Sequence, residues 1–247
     1  MKPPGLLITG TDTNVGKTYL TCQLARALKS QSFRVGIYKP VCTGSEDSGG
    51  SKFWPDIQAL SEALGGEFTD DLICPQKFDA PMAPPSAARL ENRLVDDALL
   101  RTGLSRWNEQ VDVLLIEGVG GFLCPVSTES TVADLAEDFQ VPVLIVARTD
   151  LGTINHTLMS VQLALSRKLD VVGVIMNSVN PAANEEIART SAEEIACRTK
   201  VPVLGILPHN FSRVHNKSVP TIVEPPKSCL HWRECIRKLL LGEKNGD

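Results

Sequence analysis

The stretch Leu6–Thr18, "LLITGTDTNVGKT", decides the fold. An apolar run leads into a glycine-containing loop, and "GKT" then opens a helical pattern. Strand, glycine loop and helix in this order are the setting of a phosphate-binding loop, whose backbone N–H groups face an anion. The usual pattern places its first glycine where this chain has Thr11, so Gly10 lies one residue early. The stretch predicts a nucleotide-phosphate loop with one extra residue, and the alternative is a glycine-rich turn with a solvated lysine.

The rest of the chain alternates short apolar runs with helical patterns. The runs are continuous rather than alternating, which is typical of parallel strands covered on both faces. Beyond the first strand and a helix at 17–30, the predicted strands are 35–41, 111–117, 141–147, 170–177 and 201–208. Further helices are predicted from Pro55, from about Ile154, at 183–197 and at 228–242. We predict a doubly wound α/β fold with a mostly parallel sheet, similar to the P-loop NTPases, as a single domain over residues 1–247.

Three segments read as irregular. Residues 44–52 form a polar, Gly/Ser-rich stretch that predicts a mobile loop. The Pro-rich segment 80–85 predicts no regular structure, and residues 210–227 also read as irregular.

Bulk composition excludes several classes of function. The 247 residues carry a net charge of -4 and only 5% aromatic residues, which disfavours nucleic-acid and membrane-surface partners. No apolar run is long enough to predict a transmembrane helix. The seven cysteines are scattered without a C-x-x-C pair, so we expect reduced thiols in a cytoplasmic protein without structural zinc.

Four residues have the chemistry of a metal–phosphate site. In the loop, Lys17 would bridge the β- and γ-phosphates and Thr18 would offer its hydroxyl to Mg²⁺. Glu117 ends an apolar strand beside glycines, and ligands of open α/β sheets gather at such strand ends. The alternative for Glu117 is an acid that caps a turn. Asp56 could complete the Mg²⁺ ligands, or could simply be an acid favoured at a helix N-terminus.

Other strand ends carry further candidates. Lys39 lies at the end of the second strand, where it would bind an anion or remain a solvated lysine. The stretch Gly152–Asn155 begins a helix whose N–H groups would hold a carboxylate, or which is merely capped. Asn177 could contact a purine edge or form a turn, and the stretch at Pro208 could wrap a base.

The loop "GTDTNVGKT", together with "YKPVCTGS", "EGVGG", "GTINHT" and the strand-end asparagine, resembles the dethiobiotin synthetase family. These motifs occur in the family's order, from Leu6 to about Pro208. The resemblance implies a homodimer that converts 7,8-diaminopelargonate, CO₂ and MgATP to dethiobiotin through a carbamate and a carbamic–phosphoric anhydride.

The resemblance also implies roles for individual residues. The catalytic residues would be Lys39, Lys17 and Thr13. ATP would be bound by Thr13, Asn14, Val15, Gly16, Lys17, Thr18, Glu117, Gly118, Gly120, Asn177 and Pro208. The substrate would be bound by Thr13, Lys39, Thr43, Gly152, Thr153, Ile154 and Asn155, with the helix start supplied by the partner subunit. Mg²⁺ would be held by Thr18, Asp56 and Glu117.

The sequence departs from the family pattern at some positions, and two other classes of protein are alternatives. The family often has an acid at Asn14, and Thr43 replaces a common serine. After Pro208 the sequence leaves the family pattern. Cobyrinate amidoligases carry a glutaminase domain for which 247 residues leave no expected room. Partitioning-type ATPase switches carry a second lysine early in the loop, where this chain has Thr11, Asp12 and Thr13.

Overall fold

The structure is a computed structural model that describes residues 2–180 and 184–209. Its strands are β1 (Gly5–Gly10), β2 (Val35–Tyr38), β3 (Cys42–Thr43), β4 (Glu46–Ser48), β5 (Ser51–Phe53), β6 (Lys77–Phe78), β7 (Val113–Glu117), β8 (Val143–Arg148), β9 (Val171–Asn177) and β10 (Val203–Leu207). Its helices are α1 (Lys17–Lys29), α2 (Pro55–Leu64), α3 (Asp70–Ile73), α4 (Pro84–Leu90), α5 (Asp97–Thr102), α6 (Val132–Phe139), α7 (Thr153–Ser166) and α8 (Glu185–Arg198), with a 3₁₀ turn at Gly103–Trp107.

The chain forms two compact units. Of the described residues, one unit contains those up to Thr9 together with Lys17–Val141, and the other contains Gly10–Gly16 and those from Pro142 to His209. In the first unit, β7 is the central strand and pairs in parallel with β1 on one side and β2 on the other. In the second unit, β9 pairs in parallel with both β8 and β10. The predicted α/β fold with a mostly parallel sheet is confirmed.

Burial explains why the strands read as continuous apolar runs. Every residue of β7 is buried, and so are five of the six residues of β8. Helices therefore cover both faces of these strands, as parallel strands require. The carboxyl ends of paired parallel strands share one edge, so β2 and β7 bring Lys39 and Glu117 to the same edge of the first unit.

The aromatic core of the first unit lies under its short helices. Trp107 and Tyr38 are fully buried, and the Tyr38 hydroxyl donates to the carbonyl of Leu100 at 3.0 Å. A Cβ added to Gly36 would lie 2.6 Å from Cε3 of Trp107, so this strand position accepts only glycine without a shift. These contacts fix β2, and with it the position of the residue that follows it.

Local sequence signals explain where α2 begins and ends and where α6 begins. Pro55 occupies the first turn of α2, as predicted, and Gly65 ends that helix with a φ of 79°. Thr131 and Asp134 form a capping box at the start of α6, a helix that the sequence analysis did not predict.

Two predictions of irregular structure were wrong in part. Residues 46–53, which overlap the predicted mobile loop at 44–52, form an antiparallel hairpin of β4 and β5. Pro84 and Pro85 begin α4, because proline is accepted in the first helical turn, where its missing N–H has no partner to lose. Residues 210–247, with the predicted C-terminal helix, lie outside the described residues, and the single domain stays a prediction.

The described cysteines Cys22, Cys42, Cys74, Cys124 and Cys197 are free thiols. Among the helices of the described residues, none is both long and apolar enough to cross a membrane.

Candidate active site

The loop between β1 and α1 has an unusual backbone. Asn14 and Gly16 both have positive φ, at 55° and 91°, and the N–H of Thr11 donates to the carbonyl of Val146 at 2.9 Å. Val15 is buried, whereas Thr13 and Asn14 are exposed. The loop leads directly into the first turn of α1 at Lys17, so its backbone has the shape and polarity of an anion-binding turn.

Asn177 packs against this loop. Its side-chain Nδ2 donates to the carbonyl of Val15 at 3.0 Å, and the side chain is buried. A Cβ added to Gly16 would lie only 2.0 Å from Asn177 Nδ2, a separation that side chains do not adopt. Gly16 is therefore required both by its φ and by the asparagine above it. The predicted contact of Asn177 with a purine stays a prediction.

Asp12 organises the exposed part of the loop. One oxygen of its carboxylate accepts the N–H of Thr13 at 2.7 Å and lies 3.4 Å from the Thr13 hydroxyl. Its other oxygen lies 3.7 Å from a guanidinium nitrogen of Arg148. The predicted substrate residue Thr13 is thus held at the surface of the loop.

A buried lysine joins two acids in the first unit. Lys39 Nζ donates to Asp56 Oδ2 at 2.7 Å and to Glu117 Oε1 at 2.5 Å. The side chain of Lys39 is 2% exposed, that of Glu117 is 0% exposed and that of Asp56 is 46% exposed. The structure thus brings together three of the residues that the sequence predicted.

Thr18 completes this cluster. Its Oγ1 lies 3.0 Å from Asp56 Oδ1 and 2.8 Å from Glu117 Oε1. A hydroxyl has a single proton, so it can donate to only one of these two oxygens. The second carboxylate oxygen of Glu117, Oε2, is buried without a hydrogen-bond partner. The cluster of Thr18, Lys39, Asp56 and Glu117, called here the acid–lysine cluster, therefore leaves one buried carboxylate oxygen without a donor.

The charges of the cluster perturb their neighbours. Burial, and then the positive charge of Lys39, lower the pKa of Lys17 to about 8. Burial by itself would lower the pKa of Lys39, but Glu117 and Asp56 together raise it well above its ordinary value. Burial would raise the pKa of Asp56, yet the charge and hydrogen bond of Lys39 outweigh it and lower that pKa. Asp56 and Lys39 are therefore ionised together at neutral pH.

The start of α7 differs from a simple open helix end. Gly152 is exposed with a φ of 92°, but the Thr153 N–H already donates to the carbonyl of Asp150 at 3.1 Å. The Thr153 hydroxyl donates to the carbonyl of Arg148 at 2.5 Å and is buried. Ile154 is half-buried and Asn155 is exposed. Ile154 and Asn155 are thus the predicted carboxylate-binding residues that lie nearer the surface.

Arg148 was not singled out by the sequence analysis. Besides Asp12, its guanidinium contacts His156 Nδ1 at 3.3 Å, on the first turn of α7. The signal that could have found it is its position as the last residue of β8, an edge at which functional side chains collect.

The remaining predicted residues lie on short connections. Thr43 pairs with Phe78 through β3 and β6. Gly118 follows β7, where its N–H donates to the carbonyl of Ile8 at 2.9 Å, and Gly120 has a φ of 60°. Pro208 directly follows β10.

No group of three His, Cys, Asp or Glu side chains in the described part of the chain is arranged to hold a metal ion. The acid–lysine cluster offers two carboxylates and a hydroxyl instead. That set suits Mg²⁺, which usually takes one or two protein carboxylates and completes its ligands with water and phosphate.

The parallel α/β fold and the order of strand, glycine loop and helix from β1 to α1 define the class of P-loop nucleotide-binding α/β proteins. The family model described as an AAA domain matches residues 4–215. Among curated proteins, the ATP-dependent dethiobiotin synthetase BioD of Thermodesulfovibrio yellowstonii is 35% identical over 212 residues, covering 83% of this chain and 88% of the relative. The protein of the same name from Anaeromyxobacter dehalogenans is 38% identical over 204 residues, covering 83% and 89%.

The Bacillus subtilis protein of that name is 35% identical over 206 residues, with coverage of 83% and 87%. The chain therefore belongs to the dethiobiotin synthetase family. Among solved structures, the septum site-determining protein MinD of Pyrococcus horikoshii, complexed with Mg-ADP, aligns with a TM-score of 0.48 and 16% identity over 84% of this chain and 82% of that one. A likeness this distant does not bear on function.

Proposed function

We propose that this protein is an ATP-dependent synthetase that carboxylates 7,8-diaminopelargonate and closes the ureido ring of dethiobiotin. Its family membership supports the reaction. The observation that supports the proposal most strongly is the acid–lysine cluster, in which the buried Lys39, directly after β2, contacts Glu117 at the end of β7 and Asp56 in the first turn of α2. Such a cluster suits a reaction that brings anions together and transfers a phosphoryl group between them.

The proposed reaction has three steps. One amine of the substrate attacks CO₂, forms an N–C bond and loses a proton to give a carbamate. A carbamate oxygen then attacks the γ-phosphorus of ATP, and the bond to ADP breaks to leave a carbamic–phosphoric anhydride. The second amine attacks the carbonyl carbon, loses a proton and expels phosphate as the ring closes.

The lysines would carry the anionic steps. Lys17 begins α1 and would neutralise the β- and γ-phosphates, while the backbone of Asn14, Val15 and Gly16 cradles them. Lys39 would neutralise the carbamate as its oxygen approaches phosphorus. Positioning and charge neutralisation are what phosphoryl transfer requires of a protein, since it needs no nucleophilic side chain.

Substrate positioning would fall to hydroxyls and a helix start. Thr13 and Thr43 would orient the diamine or its carbamate. The stretch Gly152–Asn155 would receive the substrate carboxylate from the partner subunit of a homodimer. Asn177 and Pro208 would border the adenine. A cytoplasmic location, expected from the cysteine usage, is part of the same proposal.

The acid–lysine cluster fits Mg²⁺. Two adjacent ligands of an octahedral Mg²⁺ lie ~2.9 Å apart, given ligand distances of roughly 2.0–2.1 Å. Thr18 Oγ1 lies 3.0 Å from Asp56 Oδ1 and 2.8 Å from Glu117 Oε1, which is the same spacing. Thr18, Asp56 and Glu117 would hold the ion, which would supply positive charge to the β- and γ-phosphate oxygens.

The experiment is an assay of phosphate release with purified protein, MgATP and bicarbonate, with and without 7,8-diaminopelargonate. We expect phosphate release to depend on the diamine and to match dethiobiotin formation one to one. Lys39→Met should abolish both products, whereas Lys52→Met, at a lysine whose side chain is 59% exposed, should change neither. ATP hydrolysis that ignores the diamine would favour a partitioning-type ATPase switch and would contradict the proposal.

A further inference from the structure

One residue of the acid–lysine cluster already supplies a positive charge to both of its carboxylates. Lys39 contacts both carboxylates, through Asp56 Oδ2 and Glu117 Oε1. The proposed Mg²⁺ ligands share one of these atoms, because Glu117 Oε1 also faces the Thr18 hydroxyl at 2.8 Å. One carboxylate oxygen therefore serves both the lysine and the cation site.

The burial of Glu117 restricts how the lysine can leave. Its side chain is 0% exposed, so water cannot stabilise its charge if Lys39 moves away. A buried carboxylate without a cationic partner is strongly unfavourable. A cation must therefore arrive at the carboxylate as the ammonium departs, and Asp56, whose side chain is 46% exposed, provides the solvent-facing side of the cluster.

The oxygens of Thr18, Asp56 and Glu117 are arranged in a way that suits the binding of a cation. The Thr18 proton can satisfy only one of the two carboxylate oxygens that face it, and Glu117 Oε2 has no partner. A divalent cation would satisfy these oxygens together, with the spacing that octahedral ligands adopt. Lys39 supplies only one positive charge to the two carboxylates.

We propose that Lys39 and the divalent cation exchange at the acid–lysine cluster, so that metal binding displaces the Lys39 ammonium from Glu117 and frees it to pair with the anionic substrate. The exchange rests on the metal site of the proposed function and adds an order of events to it. Without metal, Lys39 is an internal counter-ion and is withheld from substrate. With metal, the same lysine becomes available for the carbamate.

Chemical labelling of the wild-type protein tests the exchange without catalysis. An amine-acylating reagent is applied at limiting dose with and without Mg²⁺, in the absence of ATP and diamine, and each lysine is followed by peptide mass spectrometry. We expect Lys39 to react several-fold faster with Mg²⁺, because it is buried between the carboxylates without it. Lys52, with a side chain that is 59% exposed, is the internal control and should react equally in both samples.

Metal affinity provides the second measurement. Mn²⁺ binding is followed by electron paramagnetic resonance, again without nucleotide. If Lys39 occupies the site most of the time, its replacement in Lys39→Met should tighten Mn²⁺ binding by roughly tenfold. Lys39→Arg keeps the charge and should leave the affinity close to that of the wild type. Lys17→Met removes a buried charge that lies within range of the same acids, and it should have a clearly smaller effect than Lys39→Met.

The outcomes separate this inference from the proposed function. If Mn²⁺ binds but Lys39 labelling is unchanged, or Lys39→Met binds no tighter than Lys17→Met, the exchange is refuted while dethiobiotin formation by the same preparation remains intact. If neither wild type nor any variant binds Mn²⁺, the exchange and the proposed metal ligands both fail. Because the labelling experiment uses wild-type protein, it supports or refutes the exchange even if Lys39→Met does not fold.

Discussion

Gly16 and Asn177 offer a quantitative test of how the phosphate loop keeps its shape. Gly16 has a φ of 91°, and a Cβ there would lie 2.0 Å from Asn177 Nδ2. Gly16→Ala should cost about 1–2 kcal/mol for an L-residue in the left-handed region. It should cost a further ~1–3 kcal/mol because Asn177 must move and leave the buried carbonyl of Val15 unpaired.

A double-mutant cycle isolates the contact. Asn177→Ala removes only the hydrogen bond to Val15, at about 1–3 kcal/mol. Both single variants lose the hydrogen bond to Val15, whereas the double variant loses it only once. The double variant should therefore be destabilised by less than the sum of the single variants, with a coupling energy of about 1–3 kcal/mol. Gly66→Ala is the matched control, since Gly66 has a φ of 70° but no atom within 4 Å of an added Cβ.

Urea unfolding of wild type, Gly16→Ala, Asn177→Ala, the double variant and the control gives the free energies of unfolding. Calorimetric titration with a non-hydrolysable ATP analogue measures the nucleotide affinity of the phosphate loop. We expect Gly16→Ala to lose nucleotide affinity more than Gly66→Ala does. The reasoning is refuted if Gly16→Ala and Gly66→Ala are equally stable, or if the cycle is additive within about 0.5 kcal/mol.

Three other predictions concern packing, charge and catalysis. Gly36→Ala should destabilise the protein by about 1–3 kcal/mol in urea unfolding, through overpacking against Trp107, and equal stability would contradict that contact. Burial would raise the pKa of Asp97, but hydrogen bonds from serines and the charge of Arg101 outweigh it and lower that pKa. The ionised Asp97 therefore stabilises the folded protein above the ordinary pKa of the group, and this stabilisation is lost as pH falls through the pKa of the folded state. The stability difference between wild type and Asp97→Asn should accordingly shrink on acidification, and a constant difference would exclude this linkage. Lys17→Ala should reduce turnover by at least about tenfold with a raised KM for ATP, and unchanged kinetics would remove Lys17 from the phosphate site.

The main strands were predictable because their signal is long and local. The continuous apolar run that ends at Glu117 is a fully buried central strand in the structure. The same logic placed Lys39 at the end of β2, and the parallel pairing of β2 with β7 then brings both residues to one edge.

The short helices were not predictable from periodicity. The helix α5 has only six residues and depends on a side-chain cap from Asp96, and α6 depends on its capping box. The hairpin of β4 and β5 turns at Gly49 and Gly50, both with positive φ, within a stretch whose composition is typical of a loop. Such elements are fixed by a few hydrogen bonds rather than by a repeating apolar pattern.

Within the candidate site, the structure shows contacts that the sequence did not predict. The sequence indicated Asn177 as a residue that contacts a purine or forms a turn, and it did not predict the hydrogen bond from its amide to the carbonyl of Val15, 162 positions away in the chain. It treated Lys39 and the acids as separate candidates and did not anticipate that the lysine lies between them. Contacts between distant residues depend on the register of the strands, which no single motif encodes.

The most direct test of the central claim is the fate of labelled bicarbonate. The purified protein is incubated with 7,8-diaminopelargonate, MgATP and ¹³C-bicarbonate, and the product is followed by mass spectrometry. The account predicts dethiobiotin with one ¹³C at the ureido carbonyl, formed in equal amount with ADP and phosphate. ADP and phosphate that accumulate without labelled dethiobiotin, at a rate indifferent to the diamine, would contradict it.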